Sequence, residues 1–193
     1  MNVTVIGTGF IGGTLGRALA GRGHQVTFGS RHPGTDEVAG DTPAAVTSVA
    51  ESLAAPDVII LALPGGAVAN LAAEHGSALS GRLVIDATNQ LGAAVVNARA
   101  VLPADVRYAR AFNTLGGENM ADPVFADGPA DMFFSGPGED RPTLETVIAD
   151  VGLRPVYVGA DEETTIDALF HLWIALALTQ GRGRRLALRL IEE

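Results

Sequence analysis

The 193-residue sequence contains no cysteine and no lysine, and each absence excludes a class of chemistry. Without cysteine the chain has no disulfide, no thiol nucleophile and no thiolate metal ligand. All 13 basic residues are arginine, which excludes Schiff-base chemistry and every dehydrogenase mechanism with a lysine as proton donor. Histidines and carboxylates do not recur at metal-ligand spacing, so the sequence predicts no metal site.

Positive charge is scarce, and long hydrophobic runs are missing as well. Thirteen arginines and 22 acidic residues give a formal net charge of −9. A surface this acidic repels phosphate backbones and anionic lipids, so we expect no nucleic-acid partner and no membrane partner. The longest apolar run, Leu172–Leu178, is far shorter than the ~20 residues that span a bilayer. Met1–Gly9 has no basic segment before its apolar residues, and we expect a cytoplasmic protein without a signal peptide.

What the sequence does contain is a regular alternation of strand and helix patterns. Short β-branched and leucine-rich runs predict strands at Asn2–Ile6, Gln25–Phe28, Ala45–Thr47, Val58–Leu63, Arg82–Asp86, Val106–Ala111, Asp131–Phe134 and Arg154–Val158. The patterns between them predict helices at Phe10–Arg22, Val49–Ala54, Ala67–Glu74, Ala94–Val101 and Glu139–Val151. This alternation predicts a single α/β domain over residues 1–193, with a Rossmann-type, doubly wound and mostly parallel sheet.

The last segment, Asp161–Glu193, has a different pattern. Its acidic start and arginine-rich end suit the helix dipole, which predicts a C-terminal helical segment. Its centre, Leu169–Leu178, is apolar on nearly all sides and needs cover. A second copy of the chain could supply that cover, so we predict a homodimer, although a helix buried against its own sheet explains the pattern equally well. Four arginines could bind an acidic cofactor tail, or could compensate the dipole and pair with the terminal glutamates: Arg182, Arg184, Arg185 and Arg189.

A glycine-rich motif follows the first predicted strand and opens the first predicted helix. This context is typical of a dinucleotide-binding loop. In such a loop Gly7 permits a tight turn, Gly9 lets the backbone approach a pyrophosphate, and Gly12 lets the helix pack on the sheet. The N–H groups at the helix start bind phosphate oxygens. The sequence therefore predicts a dinucleotide site at Gly7, Thr8, Gly9, Phe10, Ile11 and Gly12.

The residues after the second predicted strand indicate which dinucleotide binds. A carboxylate at this point accepts the ribose 2′-hydroxyl of NAD, whereas this sequence has Ser30 and Arg31. The Arg31 guanidinium can bind a phosphate through two hydrogen bonds, and the Ser30 hydroxyl can donate another. Asp36 and Glu37 come several residues later, and we expect them to lie too far along the chain to take part. The predicted cofactor is NADP(H).

Two more strand ends are expected to line the cofactor, because ligands bind beyond the carboxyl ends of the strands in such sheets. Ala62, Leu63 and Pro64 end one strand, and we expect Leu63 and Pro64 to cover the ribose and nicotinamide. Thr88 and Asn89 follow the next strand and can reach the carboxamide. A simple turn-forming role explains Asn89 equally well.

Two later segments carry the most specific signal: Arg110–Met120, which reads RAFNTLGGENM, and Gly152–Gly159, which reads GLRPVYVG. Together with the N-terminal GTGFIGGTLG and the GSR after the second strand, they resemble the family of coenzyme F420-dependent NADP oxidoreductases. The domain of that family is also similar to the NADPH-binding domain of membrane metalloreductases. The resemblance extends over essentially the whole chain.

This resemblance implies hydride exchange between NADP(H) and a second redox cofactor, either the deazaflavin F420 or a flavin such as FMN or FAD. It implies further cofactor contacts at Ala111, Phe112 and Asn113. It also implies contacts to the second substrate at Thr114 and Leu115, and the neighbouring Gly116 can present a backbone N–H to it. Asn119 is a further candidate for the second-substrate pocket, although a role in capping and packing a helix stays open. Archaeal-type F420 enzymes have a histidine and an Ile-Pro-Ala-Ala stretch where this chain has Asn113 and residues 115–117, so the identity of the acceptor stays open.

No residue is predicted to be catalytic. Reduction of a simple ketone or imine usually needs a proton donor, and Tyr108 and Tyr157 have no lysine partner. A flavin-like acceptor spreads the incoming charge over its own ring, so backbone N–H groups at Gly116 and Gly117 suffice. Two alternatives stay open: an NADPH-dependent reductase acting directly on a small C=N or C=C compound, and a non-catalytic NADPH-binding sensor.

Overall fold

The computed structural model describes residues 1–36, 38, 44–89 and 98–193, which form two units, Met1–Tyr108 and Ala109–Glu193. The first unit contains β1 (Asn2–Ile6), α1 (Phe10–Gly21), β2 (Gln25–Ser30), β3 (Ala45–Ser48), α2 (Val49–Ser52), β4 (Val58–Leu61), α3 (Val68–Leu79) and β5 (Leu83–Asp86). Strand β6 (Arg107–Arg110) begins in the first unit and ends in the second. The second unit continues with α4 (Gly117–Ala121), β7 (Val124–Phe125), β8 (Gly128–Pro129), β9 (Asp131–Ser135), α5 (Arg141–Asp150), β10 (Arg154–Gly159) and α6 (Glu163–Ile174).

The first unit is built on a parallel sheet in the order β3-β2-β1-β4-β5. The chain adds β2 and β3 on one side of β1, and then returns to add β4 and β5 on the other side. This reversal of strand order beside β1 is the switch point at which doubly wound sheets bind ligands. The predicted Rossmann-type α/β fold with a mostly parallel sheet is confirmed.

Continuous apolar strands form the core of the first unit. The four residues of β4, Val58–Leu61, are completely buried, and so are Val84 and Ile85 of β5. Such runs lack the alternation of a half-exposed strand because helices cover both faces of the sheet. Burial of each of these side chains contributes roughly 1.5–3 kcal/mol to the free energy of unfolding.

Helix α2 begins with a capping box that fixes the end of β3. The Ser48 hydroxyl accepts the backbone N–H of Glu51 at 3.2 Å, and the Glu51 carboxylate accepts the backbone N–H of Ser48 at 3.0 Å. Hydrogen bonds from the Ser48 side chain and backbone lower the pKa of Glu51. The helix therefore begins at Val49, immediately after the strand.

The second unit contains a parallel pair of strands, β9 and β10, with β9 also pairing antiparallel with the end of β6 at Arg110 and Ser135. Strands β7 and β8 form a separate two-stranded ribbon. Helix α5 has Pro142 in its first turn, where its missing N–H costs no helical hydrogen bond.

Most predicted elements in the described residues are confirmed to within a few residues, with five differences. Helix α3 continues to Leu79, five residues past its predicted end at Glu74. Strand β2 continues two residues past Phe28 and includes Ser30, whereas β4 ends at Leu61, two residues before the predicted end. The short elements α4, β7 and β8 were not predicted. Of the predicted helix Ala94–Val101, residues 94–97 lie outside the described residues, and Ala98–Ala100 form a 3₁₀ turn.

The prediction of a helical segment up to residue 193 is wrong at its C-terminal end. Helix α6 ends at Ile174, a π-helical turn follows at Ala175–Thr179, and residues 180–193 contain no helix. Gly181 and Gly183 have φ values of +67° and +87°, a conformation that ends a right-handed helix. Leu172 of this helix and Leu178 of the π-helical turn are each 44% exposed, so this apolar segment is not covered on all sides. No helix in the described residues is both long and apolar enough to cross a membrane.

The residues after this helix form a C-terminal tail, residues 180–193, that is hydrogen-bonded to the second unit. The Asn119 side-chain amide donates to the carbonyl oxygens of Arg184 and Leu186, both at 2.9 Å. The Trp173 indole N–H donates to the Leu186 carbonyl at 2.8 Å. Arg184 pairs with Glu118 at 2.7 Å, and its hydrogen bonds lower the pKa of Glu118. The tail is therefore part of the folded second unit.

Removal of the tail should change the fluorescence of Trp173, the only tryptophan. A chain truncated after Gly183 loses the Leu186 carbonyl and leaves the Trp173 and Asn119 donors without these acceptors. We expect a red shift of the emission and a loss of about 2–3 kcal/mol in the free energy of unfolding. Truncation after Ile191 retains these contacts and serves as the control. An unchanged emission spectrum in the chain truncated after Gly183 would contradict the claim that the tail is packed on the second unit.

A buried ion pair in the second unit should contribute more to stability than an exposed one. The Arg110 guanidinium donates twice to Asp167, at 2.8 and 3.0 Å, and the Arg110 side chain is only 2% exposed. Because Asp167→Ala leaves a buried cation without this partner, we expect a loss of roughly 2–3 kcal/mol in urea denaturation. Glu145→Ala removes the exposed Arg141–Glu145 pair and should cost less than about 0.5 kcal/mol. Equal losses for the two variants would show that the buried pair stabilises the fold no more than the exposed pair does.

Candidate functional site

The predicted nucleotide-binding residues of the first unit lie at one edge of its sheet. Gly29, Ile6, Leu61 and Asp86 are paired in register across β2, β1, β4 and β5. The residues that follow them emerge together at the carboxyl edge of the parallel strands. The structure therefore brings together the glycine-rich loop and the predicted residues Ser30, Arg31, Ala62, Leu63, Pro64, Thr88 and Asn89.

Gly7 and Gly12 are required by the close approach of the loop to its neighbours. Gly7 has a φ of +118°, and a Cβ built on it would overlap the carbonyl oxygen of Ala62. A Cβ on Gly12 would overlap the carbonyl oxygen of Gly7 and would lie 3.3 Å from the Ala62 Cβ. The loop, α1 and the end of β4 are thus packed backbone against backbone. The sequence predicted this close packing for Gly12, and a tight turn for Gly7.

Gly9 differs from the other two, because no atom lies within 4 Å of a Cβ built on it. Its φ of −68° and ψ of −173° are allowed for any residue, so neither strain nor packing explains a glycine here. Gly9 and Phe10 are exposed, and the Phe10 side chain is 52% exposed at the start of α1. The open space above Gly9, beside the first N–H groups of a 12-residue helix, fits the phosphate groups of a nucleotide.

Ser30 and Arg31 lie at the end of β2 in different environments. The Ser30 side chain is buried, and its oxygen accepts the backbone N–H of His32 at 2.8 Å. Arg31 is exposed, so its guanidinium is accessible to a ligand. A serine hydroxyl beside an accessible arginine suits a phosphate group.

The expectation that Asp36 lies too far along the chain is wrong. Residues 32–36 fold back in a turn, with Thr35 and Asp36 donating their backbone N–H groups to the His32 carbonyl at 3.0 and 2.9 Å. This turn brings the Asp36 carboxylate onto the Ser30 hydroxyl, which donates a hydrogen bond to it. Sequence distance was the wrong criterion, although the Pro33-Gly34 pair is a turn signal that could have revealed the reversal. Glu37 lies outside the described residues.

The end of β5 carries a buried carboxylate that the sequence analysis did not single out. Asp86 is fully buried, and its two oxygens accept the backbone N–H of Thr88 at 2.8 Å and the Tyr108 hydroxyl at 2.6 Å. These bonds fix the backbone that leads to Asn89. Tyr108, which lacks a lysine partner in the sequence, thus has a structural role beside the predicted site.

In the second unit, the predicted residues Ala111–Gly116 form a buried loop after β6. Phe112 has a φ of +66°, a left-handed conformation that costs a non-glycine residue of order 1–3 kcal/mol. Its backbone N–H points to the Met132 sulfur at 3.1 Å, and the Thr114 hydroxyl lies 3.7 Å from the same atom. Strained, buried backbone of this kind often occurs at functional sites. The roles of these residues in cofactor and substrate binding stay predictions.

Asn119 is also buried, but its amide N–H groups are hydrogen-bonded to the C-terminal tail. The Asn119 side-chain oxygen accepts a hydrogen bond from the Arg185 guanidinium of the tail at 3.4 Å. A role of Asn119 in substrate binding stays a prediction, and it would require displacement of the tail. The tail arginines are paired within the second unit: Arg184 with Glu118 and Arg185 with Asp122. The sequence had suggested that these arginines compensate a helix dipole or pair with the terminal glutamates. The two observed ion pairs do neither.

Metal-ligating side chains do not gather anywhere in residues 1–36, 38, 44–89 and 98–193: no group of three or more histidines and carboxylates could hold an ion there.

Comparison with solved structures supports the fold. A provisionally assigned F420-dependent NADP reductase from Arthrobacter sp. FB24 superposes with a TM-score of 0.83 at 21% identity, over 100% of both chains. An imine reductase from Aspergillus terreus matches with a TM-score of 0.72 at 19% identity, over 93% of this chain and 63% of that one. A reductive aminase from the same organism, in complex with NADPH and ethyl levulinate, gives 0.73 at 19% over 93% and 62%. At these identities the likeness shows the fold alone.

Comparison of the sequence itself gives a narrower result. No curated protein sequence matches the chain. Residues 2–90 match the family described as NADP oxidoreductase, coenzyme F420-dependent. This range contains the glycine-rich loop, Ser30 and Arg31, and the strand ends at Ala62–Pro64 and Thr88–Asn89. The resemblance to the coenzyme F420-dependent NADP oxidoreductases is therefore confirmed for residues 2–90 of this chain.

Proposed function

We propose that this protein is an NADP-dependent oxidoreductase that transfers hydride between NADP(H) and a deazaflavin or flavin acceptor. The observation that carries the proposal is the glycine-rich loop at the switch point of the sheet, with open space above Gly9, inside the segment that matches the NADP oxidoreductase family. NADPH, when bound, supplies the hydride. The acceptor gains two electrons with that hydride and takes a second proton from water.

The residues of the first unit would hold the nucleotide. The pyrophosphate would lie on the backbone of Gly7–Gly12, where the N–H groups at the start of α1 are available to its oxygens. Arg31 and Ser30 would bind the 2′-phosphate. Leu63 and Pro64 would cover the ribose and nicotinamide, while Thr88 and Asn89 would reach the carboxamide.

The acceptor is the open part of the proposal. The family description favours F420, and a flavin such as FMN or FAD has the same ability to take up hydride in its own ring. We propose Thr114, Leu115, Gly116 and Asn119 of the second unit as acceptor-binding residues. Because the ring system stabilises the incoming charge, no side chain of the protein needs to donate a proton.

The likeness to imine reductases and reductive aminases favours a second candidate, direct reduction of a small C=N compound. The chain spans only 63% and 62% of the lengths of those two proteins. Reduction of a neutral imine also needs a proton, because hydride addition places negative charge on the nitrogen, and the sequence identified no side chain as its donor. A non-catalytic NADPH-binding sensor and the predicted homodimer also stay predictions.

One experiment separates these functions. Purified protein and NADPH are mixed separately with F420, FMN, FAD and a cyclic imine, and the absorbance of NADPH and of each acceptor is followed. Rapid bleaching of F420 or of a flavin supports the proposed function. Turnover of the imine without any flavin-type cofactor favours the second candidate, and binding of NADPH without turnover of any acceptor favours the sensor.

A further inference from the structure

The contact between Ser30 and Asp36 lies where a 2′-phosphate would bind in the proposed function. Ser30 ends β2, and its buried oxygen accepts the His32 N–H at 2.8 Å while its hydroxyl proton is donated to the Asp36 carboxylate. The turn at residues 32–36 holds the Asp36 backbone in place through the His32 carbonyl. Asp36 is half-buried, and the turn at residues 32–36 follows directly after the exposed Arg31.

This arrangement is unfavourable for a second anion. A serine hydroxyl has a single proton to donate, and here that proton is given to Asp36. For a phosphate near Ser30, the Ser30 hydroxyl proton is therefore not available as a donor. The phosphate would also lie close to the Asp36 carboxylate, which has the same sign of charge. Repulsion between two anions a few ångströms apart is large when the site is partly shielded from water.

We propose that Asp36 is a specificity-determining residue of the adenosine site, acting in opposition to Arg31. Its carboxylate holds the Ser30 hydroxyl when no 2′-phosphate is present, and it must release that hydroxyl for NADP to bind. For NAD the same carboxylate is available to accept a ribose hydroxyl, the role that an acidic residue at the end of β2 has in NAD-binding folds. Asp36 thereby narrows the preference for NADP over NAD that Arg31 creates. This inference rests on the proposed nucleotide site.

The test compares two adenosine ligands that differ by the 2′-phosphate, 2′,5′-ADP and 5′-AMP, in binding titrations of the full chain. In Asp36→Asn we expect the affinity for 2′,5′-ADP to rise about tenfold, because one negative charge is removed. The affinity for 5′-AMP should stay equal or fall. Asp36→Ala, which also removes the acceptor of the Ser30 proton, should change the ratio of affinities in the same direction.

Asp57→Asn is the matched control. It removes the same charge from a carboxylate that accepts the backbone N–H of Asn2 at 2.7 Å, at the opposite edge of the sheet. Its ratio of affinities should stay within about twofold of the original, since exposed charges farther apart than about 10 Å are largely screened in 0.1 M salt.

The outcomes distinguish this inference from the proposed function. If the original chain prefers 2′,5′-ADP and neither Asp36 variant changes the ratio, the role of Asp36 is wrong and the nucleotide site stands. An equal change in Asp57→Asn would also overturn the role of Asp36, because net charge alone would then explain the effect. If the original chain binds neither 2′,5′-ADP nor NADP+, both the site and this inference are wrong.

Discussion

Gly9→Ala should weaken NADPH binding by about 100-fold or more, an expectation equivalent to at least ~2.7 kcal/mol, while leaving the protein folded. The added methyl group would project into the open space above the loop, where we propose that the pyrophosphate lies. The Gly9 backbone has a φ of −68°, which alanine adopts without strain. We therefore expect the free energy of unfolding to change by less than about 1 kcal/mol. Calorimetric titration and urea denaturation measure the two quantities.

Gly12→Ala provides the contrast within the same motif. Its Cβ would overlap the Gly7 carbonyl, so α1 must shift away from the loop. Overpacking of this kind typically costs about 1–3 kcal/mol, and we expect that loss in urea denaturation. If Gly9→Ala bound NADPH normally, the space above Gly9 would not be the pyrophosphate site. If Gly9→Ala lost as much free energy of unfolding as Gly12→Ala, Gly9 would be required by the fold and not by the nucleotide.

Arg31→Asp should invert the preference between NADPH and NADH. The change removes a charge-assisted contact to the 2′-phosphate, which contributes about 1.5–3 kcal/mol, and it adds a repelling carboxylate. The new carboxylate is also placed to accept the ribose 2′-hydroxyl of NADH. Together these effects should change the ratio of dissociation constants by roughly 100- to 1,000-fold, measured by titration with each nucleotide.

Arg22→Asp is the matched control for this variant. Arg22 is exposed and follows the C-terminal end of α1, whereas the glycine-rich loop precedes the N-terminal end of that helix. The same charge reversal at Arg22 should leave the nucleotide preference nearly unchanged. An unchanged preference in Arg31→Asp would mean that the adenosine ribose binds elsewhere.

The sequence predicted those parts of the first unit that depend on local pattern. Strand β1 was predicted with its observed bounds because Asn2–Ile6 is an apolar run that ends at a glycine turn. The roles of Gly7 and Gly12 follow from the spacing of the motif, and the register of the parallel strands then brings the predicted strand ends together. Pattern and spacing are sufficient wherever neighbouring residues determine the backbone.

Contacts that depend on a reversal of the chain, or that join residues far apart in the sequence, were not predicted. The Asp36 carboxylate reaches Ser30 through a turn, and the Asp86–Tyr108 hydrogen bond joins residues 22 positions apart. Asn119 was predicted to bind substrate, yet its amide is hydrogen-bonded to tail carbonyls 65 and 67 residues later. The helical segment predicted up to residue 193 rested on the charge pattern, whereas the structure has left-handed backbone at Gly181 and Gly183, which cannot continue a right-handed helix.

A crystal structure with NADP+ bound tests the central claim most directly. We predict the pyrophosphate on the backbone of Gly7–Gly12, above Gly9, and the 2′-phosphate against Arg31 and Ser30, with the Ser30 hydroxyl released from Asp36. Nucleotide density at any other edge of the sheet, or a 2′-phosphate pointing away from Arg31, would contradict the account.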